Sequence, residues 1–164
     1  MLHGRSRKRV DPIAQLMQEH DQALLYLSSL NKATRAIAEQ GFSKEQFHKV
    51  EAALRFINDE VSVHNKSEED ALFPVLERYV EGPTRLMRQD HRKMKTEFSR
   101  LRKAVDRVAQ NHQDKVAAAG LQVVARTIIQ MFVNHIHKEN HILFPLVQKF
   151  LTKDALREVA RRMV

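Results

Sequence analysis

The chain repeats itself at one fixed offset. Residue i matches residue i + 71 at chemically selective places: His20 with His91, His64 with His135, Glu68 with Glu139, and Leu72-Phe73-Pro74 with Leu143-Phe144-Pro145. Pro12 and Pro83 fall in the same register, as do Ser43 and Asp114, two residues suited to cap helices. A gapless repeat of this length makes each half one supersecondary unit that buries its apolar face against the other. With only 4 Gly and 4 Pro in 164 residues, those units are long helices rather than the many short strands of a sandwich or barrel. The length suits a single domain.

The boundaries follow from capping chemistry. Asp11 with Pro12 behind it opens a first helix carrying Leu16, Met17, His20, Leu24, Leu27 and Leu30 at three- and four-residue spacing, and Gly41 stops it. Ser43 with Gln46 opens a second helix that runs through His64 and Glu68 to about Val80, with Pro74 expected to kink or interrupt it. Gly82-Pro83 turns the chain into a third helix, from about Thr84 to Gln110. Asp114 starts a fourth, to about Phe150 with Pro145 as its interruption, and Thr152 caps a short terminal helix ending near Met163. The expected architecture is all-α. An up-down-up-down four-helix bundle occupies residues 11–151, a basic disordered tail residues 1–10, and a short C-terminal helix residues 152–164.

Composition removes whole classes of function. Cysteine is absent, which excludes disulfides, zinc ribbons, Fe–S clusters and thiol nucleophiles. No Gly-rich phosphate loop or nucleophile elbow is present, so a transferase or hydrolase has nothing to rest on. The longest run without Asp, Glu, Lys or Arg is Thr127 to His137, short of the ~20 apolar residues of a membrane span. The first ten residues are basic and lack a secretory apolar core, so a cytoplasmic chain that spans no membrane is expected. Of the net charge of +8, that tail carries four units; any nucleic-acid contact is expected through it alone.

The chemistry lies in the histidines. Residues four apart share one face of a helix about 6 Å apart, which pairs His64 with Glu68 and His135 with Glu139. His20 and His91 stand among apolar residues on the first and third helices. Any one of them alone reads as a hydrogen-bonded core histidine. Together, four imidazoles and two carboxylates in an apolar core are costly unless paired or bound to metal. A dinuclear site uses the set well, each cation taking two imidazoles and the glutamates bridging. Iron, manganese and zinc all suit these nitrogen and oxygen donors.

The pattern His20, His64-Asn65-Lys66-Ser67-Glu68, His91, His135-Ile136-His137-Lys138-Glu139, with a trailing Leu-Phe-Pro in each half, resembles the hemerythrin-like (HHE cation-binding) family over residues 11–151. That resemblance implies a four-helix bundle holding two non-haem iron ions with an oxo or hydroxo bridge, ligated by His20, His64, Glu68, His91, His135 and Glu139. The oxygen carriers of the family use five histidines where the motif here supplies four, which leaves coordination positions open. Iron-repair members add a Cys-containing domain to which this chain has no counterpart. The function implied is binding or sensing of dioxygen or nitric oxide by a monomer or homodimer, with no catalytic residue assigned. Detoxification of peroxide or nitric oxide, and iron handling or regulation, are the alternatives.

The remaining candidates are assigned lesser roles. His137 lies about 200° around the helix from His135 and is expected to form a surface pair with His141. His48 and His112 are expected in solvent, and Phe73 and Phe144 in the core. Glu60, Lys95 and Met131 sit one turn from His64, His91 and His135, placed to shape the outer pocket.

Overall fold

A computed structural model describes residues 11–163; the basic tail 1–10 lies outside the described residues. Among the described residues all regular structure is helical. Helix α1 spans Pro12–Gln40. Helix α2 covers residues 44–76, with wide π turns at Ile57–Val61 and Glu68–Leu72. Helix α3 spans Thr84–Gln110, α4 spans Lys115–Phe150 with a π turn at Glu139–Leu143, and α5 spans Lys153–Arg162.

The capping residues act as their chemistry requires. Asp11 accepts from the backbone of Ile13 and Ala14, Ser43 from Gln46, Asp114 from Ala117 and Thr152 from Ala155. Each such cap contributes about 1 kcal/mol. Gly41 ends α1 at φ 92°, a left-handed conformation that a residue with a Cβ rarely adopts.

The two prolines do not break their helices. Pro74 has no N–H to bond backward, and its ring would clash with the carbonyl four residues earlier in a regular α-helix. Instead Phe73 N–H reaches five residues back to Glu68, and Phe144 N–H likewise to Glu139, so one extra residue fits in each turn and the chain continues helically. Helix α2 does end earlier than expected, at Leu76, with turns over 77–79. The third π turn, Ile57–Val61, is followed by no proline and has no counterpart 71 residues on.

The core falls into two apolar clusters. One holds Leu27, Leu30, Val50, Ala53, Leu101, Leu121 and Ile128; the other holds Leu16, Leu72, Phe73, Met87, Leu143 and Phe144, joined by Ala155 and Val159 of α5. Burying each large side chain contributes about 1.5–3 kcal/mol. Along α1 and α3 the chain passes from the second cluster to the first; along α2 and α4 it passes the other way. On all four helices the buried His and Glu residues fall between the clusters, making one polar layer in the core. Arg78 pairs through two nitrogens with Glu158 and pins α5 over the end of α2.

Met17 and Leu24, expected on the apolar face of α1, are 40% and 37% exposed. The buried stripe there is narrower, following Leu16, His20, Ala23, Leu27 and Leu30. Helix α4 is long and apolar enough by composition to cross a membrane, with mean hydropathy 1.6 over 18 residues, which the uncharged run Thr127 to His137 did not suggest. Its Leu121, Ala125, Ile128 and Phe132 lie in the core.

Candidate metal centre

Each long helix brings one or two polar side chains into the central layer. His20, Glu68, His135 and Glu139 are at most 3% exposed, and His64 and His91 are 7% exposed. The side chains form two quartets, His20–His64–Glu68–Glu139 and Glu68–His91–His135–Glu139, each with its ligand atoms within 4.8 Å of one another. Both quartets contain both glutamates. The geometry thus brings all six sequence-derived candidates together.

The imidazole Nε2 atoms face inward. His20 Nε2 lies 2.9 Å from Glu139 Oε1, His135 Nε2 3.2 Å from the same oxygen, and His91 Nε2 3.1 Å from His135 Nε2. His64 Nε2 approaches Glu68 Oε1 to 3.1 Å without the angles of a hydrogen bond. His64 Nε2, both oxygens of Glu68 and Oε2 of Glu139 are buried with no hydrogen-bond partner. Each such atom costs about 1–3 kcal/mol if left unpaired. Converging nitrogen and oxygen donors with unused lone pairs fit a pair of divalent cations.

The Nδ1 atoms face outward, each to its own acceptor. His20 Nδ1 meets Asn140 Oδ1 at 2.8 Å, His64 meets Glu19 at 3.1 Å, His91 meets Glu69 at 3.0 Å and His135 meets Asp90 at 3.1 Å. Lys138 Nζ also reaches Asp90, at 2.6 Å. These acceptors fix the ring orientation and keep the proton on Nδ1, so that Nε2 is free to bind a cation. Sequence reasoning missed them, although Glu19 and Asp90, and Glu69 and Asn140, stand 71 residues apart like the groups they hold.

Without metal the layer balances its charge with protons. Burial opposes charging of His64, yet the Glu68 charge, the nearby Glu139 carboxylate and the hydrogen bond to Glu19 hold it well above its usual range. Burial likewise opposes ionisation of Glu139, but the polar groups packed around it, Glu68, His135, His20 and His64, hold its carboxyl well below the usual range. His135 is pushed up to about 9 against its burial by the hydrogen bond and charge of Glu139, the Glu68 charge and Asp90. Since its folded pKa exceeds the unfolded 6.5, His135 contributes its full stabilisation to the metal-free fold below pH 6.5 and loses it as the pH rises to about 9. The loss is on the order of 3 kcal/mol. Urea unfolding of metal-free protein should show this decline. Over the same interval metal affinity should rise, because the cation displaces that proton. A metal-free stability that is flat or rising across this window contradicts the reading.

Two hollows flank the layer. A pocket of about 50 Å³ opens on His20, His64, His135 and Glu139, walled by Phe56, Val61, Phe132 and Ile136, with Glu60 at its rim. A groove of about 380 Å³ reaches His91 from the other side, between Met94 and Phe98, past Lys66, Arg92 and Lys95. The π turn Ile57–Val61 contributes Val61 to both. Glu60 and Lys95, candidates for shaping the outer pocket, therefore line different hollows; Met131 packs against the apolar core. His137 and His141 are exposed with ring centroids 4.3 Å apart. His48 and His112 are both exposed as expected, and the His112 ring stacks on Phe42 at 3.6 Å.

No curated protein matches the chain. The family model of the hemerythrin HHE cation-binding domain matches residues 11–147, which include all four long helices nearly in full and all six residues of the two quartets. The chain belongs to the hemerythrin HHE cation-binding domain family.

Proposed function

We propose that this chain is a non-haem di-iron protein that binds or senses a small oxidant, dioxygen or nitric oxide, inside an up-down-up-down four-helix bundle. His20 and His64 would hold one ion and His91 and His135 the other, with Glu68 and Glu139 shared. The observation that carries the reading is the pair of buried quartets with common carboxylates. Bound iron supplies a reversible change of oxidation state and an exchangeable coordination position. The protein's own residues supply the rest. The Nδ1 acceptors orient the imidazoles, and Phe132 and Ile136 restrict water at the pocket.

The size of the pocket supports a small ligand. One water needs about 10–15 Å³ on this measure, so about 50 Å³ admits a diatomic molecule or peroxide. The absence of cysteine suits a cytoplasmic chain.

The test is metal content with an optical spectrum of the full chain, recorded after anaerobic reduction and again after dioxygen or nitric oxide. Two irons per chain are expected, with absorption that changes reversibly with the gas and is lost in His64→Ala and His135→Ala. Folded protein that takes up no iron, or whose iron ignores both gases, overturns the proposal. Sustained consumption of peroxide would assign the centre to catalysis instead.

A further inference from the structure

The outward Nδ1 hydrogen bonds of the four layer histidines follow the 71-residue repeat, with one change in the kind of acceptor. Glu19 and Asp90, each just before a layer histidine, accept from His64 and His135 at equal distances of 3.1 Å. Glu69 and Asn140, each just after a layer glutamate, face His91 and His20 at 3.0 and 2.8 Å. Three acceptors are carboxylates. The fourth, Asn140, is an amide in a position where the repeat places a carboxylate.

An imidazole that binds a cation through Nε2 keeps its proton on Nδ1 and donates it outward. A carboxylate acceptor makes that hydrogen bond charge-assisted, roughly twice as strong as one to a neutral oxygen, and increases the electron donation of Nε2. Lys138 offsets part of the Asp90 charge, so Asp90 supports His135 less than Glu19 supports His64, a partial effect set against the full loss of charge at Asn140. The contrast left standing is His20 on an amide against His91 on a carboxylate.

We infer that the two metal positions are unequal, and that Asn140 is the positioning residue that makes the His20–His64 position the weaker one, filled second. The inference rests on the reading that the quartets hold two metal ions. Its object is their order and affinity, whatever gas or peroxide they meet.

The test adds Co²⁺ to the metal-free full-length chain, without oxygen, against a chromophoric chelator, and follows the visible cobalt absorption. Two cations sharing carboxylates repel, so two binding steps would arise even at equal positions; the variants decide. Asn140→Asp is expected to strengthen the second step about 10-fold and Glu69→Gln to weaken the first about 10-fold. His20→Ala should leave one ion at the affinity of the tight step, and His91→Ala one ion at that of the weak step.

The double variant Glu69→Gln/Asn140→Asp keeps the net charge and should reverse the order, so that His20→Ala placed in it now removes the tight step. A purely structural role for Asn140 would not produce that reversal. Unchanged steps in both Asn140→Asp and Glu69→Gln, or equal affinities in His20→Ala and His91→Ala, overturn the inference while leaving the dinuclear reading intact. Wild-type protein that binds no cobalt overturns both. Should Asp at 140 prevent folding, Glu69→Gln with His20→Ala and His91→Ala still decides the matter.

Discussion

Replacing Glu139 by glutamine is expected to strip the chain of both metal ions and to destabilise its metal-free form by about 3–5 kcal/mol. Glu139 belongs to both quartets, so its loss removes a ligand from each cation at once. His91→Ala, by contrast, touches one quartet only. In the metal-free state the same carboxylate is fully buried, 2.9 Å from His20, 3.2 Å from His135 and 3.8 Å from His64. Neutralising it leaves the cationic His135 in the core without its principal counter-charge and His64 with Glu68 and Glu19 alone, and the substituted amide turns N–H donors toward rings that are themselves donating. Elemental analysis after desalting, with urea unfolding of the metal-free protein, measures both effects. Retention of two ions per chain by Glu139→Gln would rule out a shared carboxylate at this position.

Phe144→Ala should cost about 3–5 kcal/mol by a different route. The ring is 1% exposed, packs with Leu16 and Leu143, and lies nearly parallel to the His20 imidazole, 21° between planes and 5.4 Å between centroids. Removing it opens a cavity beneath a layer histidine, so packing energy and ring orientation are lost together. For a chain of this length the unfolding midpoint should fall by roughly 10 °C, and a metal ion should be held less tightly at the His20 position. Phe144→Leu, which refills most of the space, should recover most of the stability. Phe73 stands in the same relation to His91, at 6.0 Å and 19°, so Phe73→Ala should shift the loss to the other cation. Normal metal retention by a clearly destabilised Phe144→Ala would separate packing from ring orientation and refute the coupling.

Much of this arrangement is legible in the residues. The 71-residue register exposes the six layer side chains because chemically costly groups recur at one offset, and the caps Asp11, Ser43, Asp114 and Thr152 are local devices that need no tertiary knowledge. What escaped depends on distant parts of the chain or on backbone that can yield. Pro74 and Pro145 announce a missing N–H, but nothing local says that the helix will widen by one residue instead of breaking. Glu19, Glu69, Asp90 and Asn140 look like ordinary surface residues until another helix presents an imidazole to them. Met17 lies at a plausible helical spacing, yet it sits about 100° from Leu16 and misses the narrow buried stripe.

The repeat also sets what substitutions can do. Were the same layer assembled from two identical hairpins related by a true twofold axis, every mutation would occur twice, and one cation could never be adjusted without the other. Joined in one polypeptide, the halves mutate independently. The amide at Asn140 opposite the carboxylate at Glu69, and the π turn at Ile57–Val61 without a partner in the second half, are differences of this kind. Covalent fusion thus gives a near-symmetric scaffold two separately tunable ends.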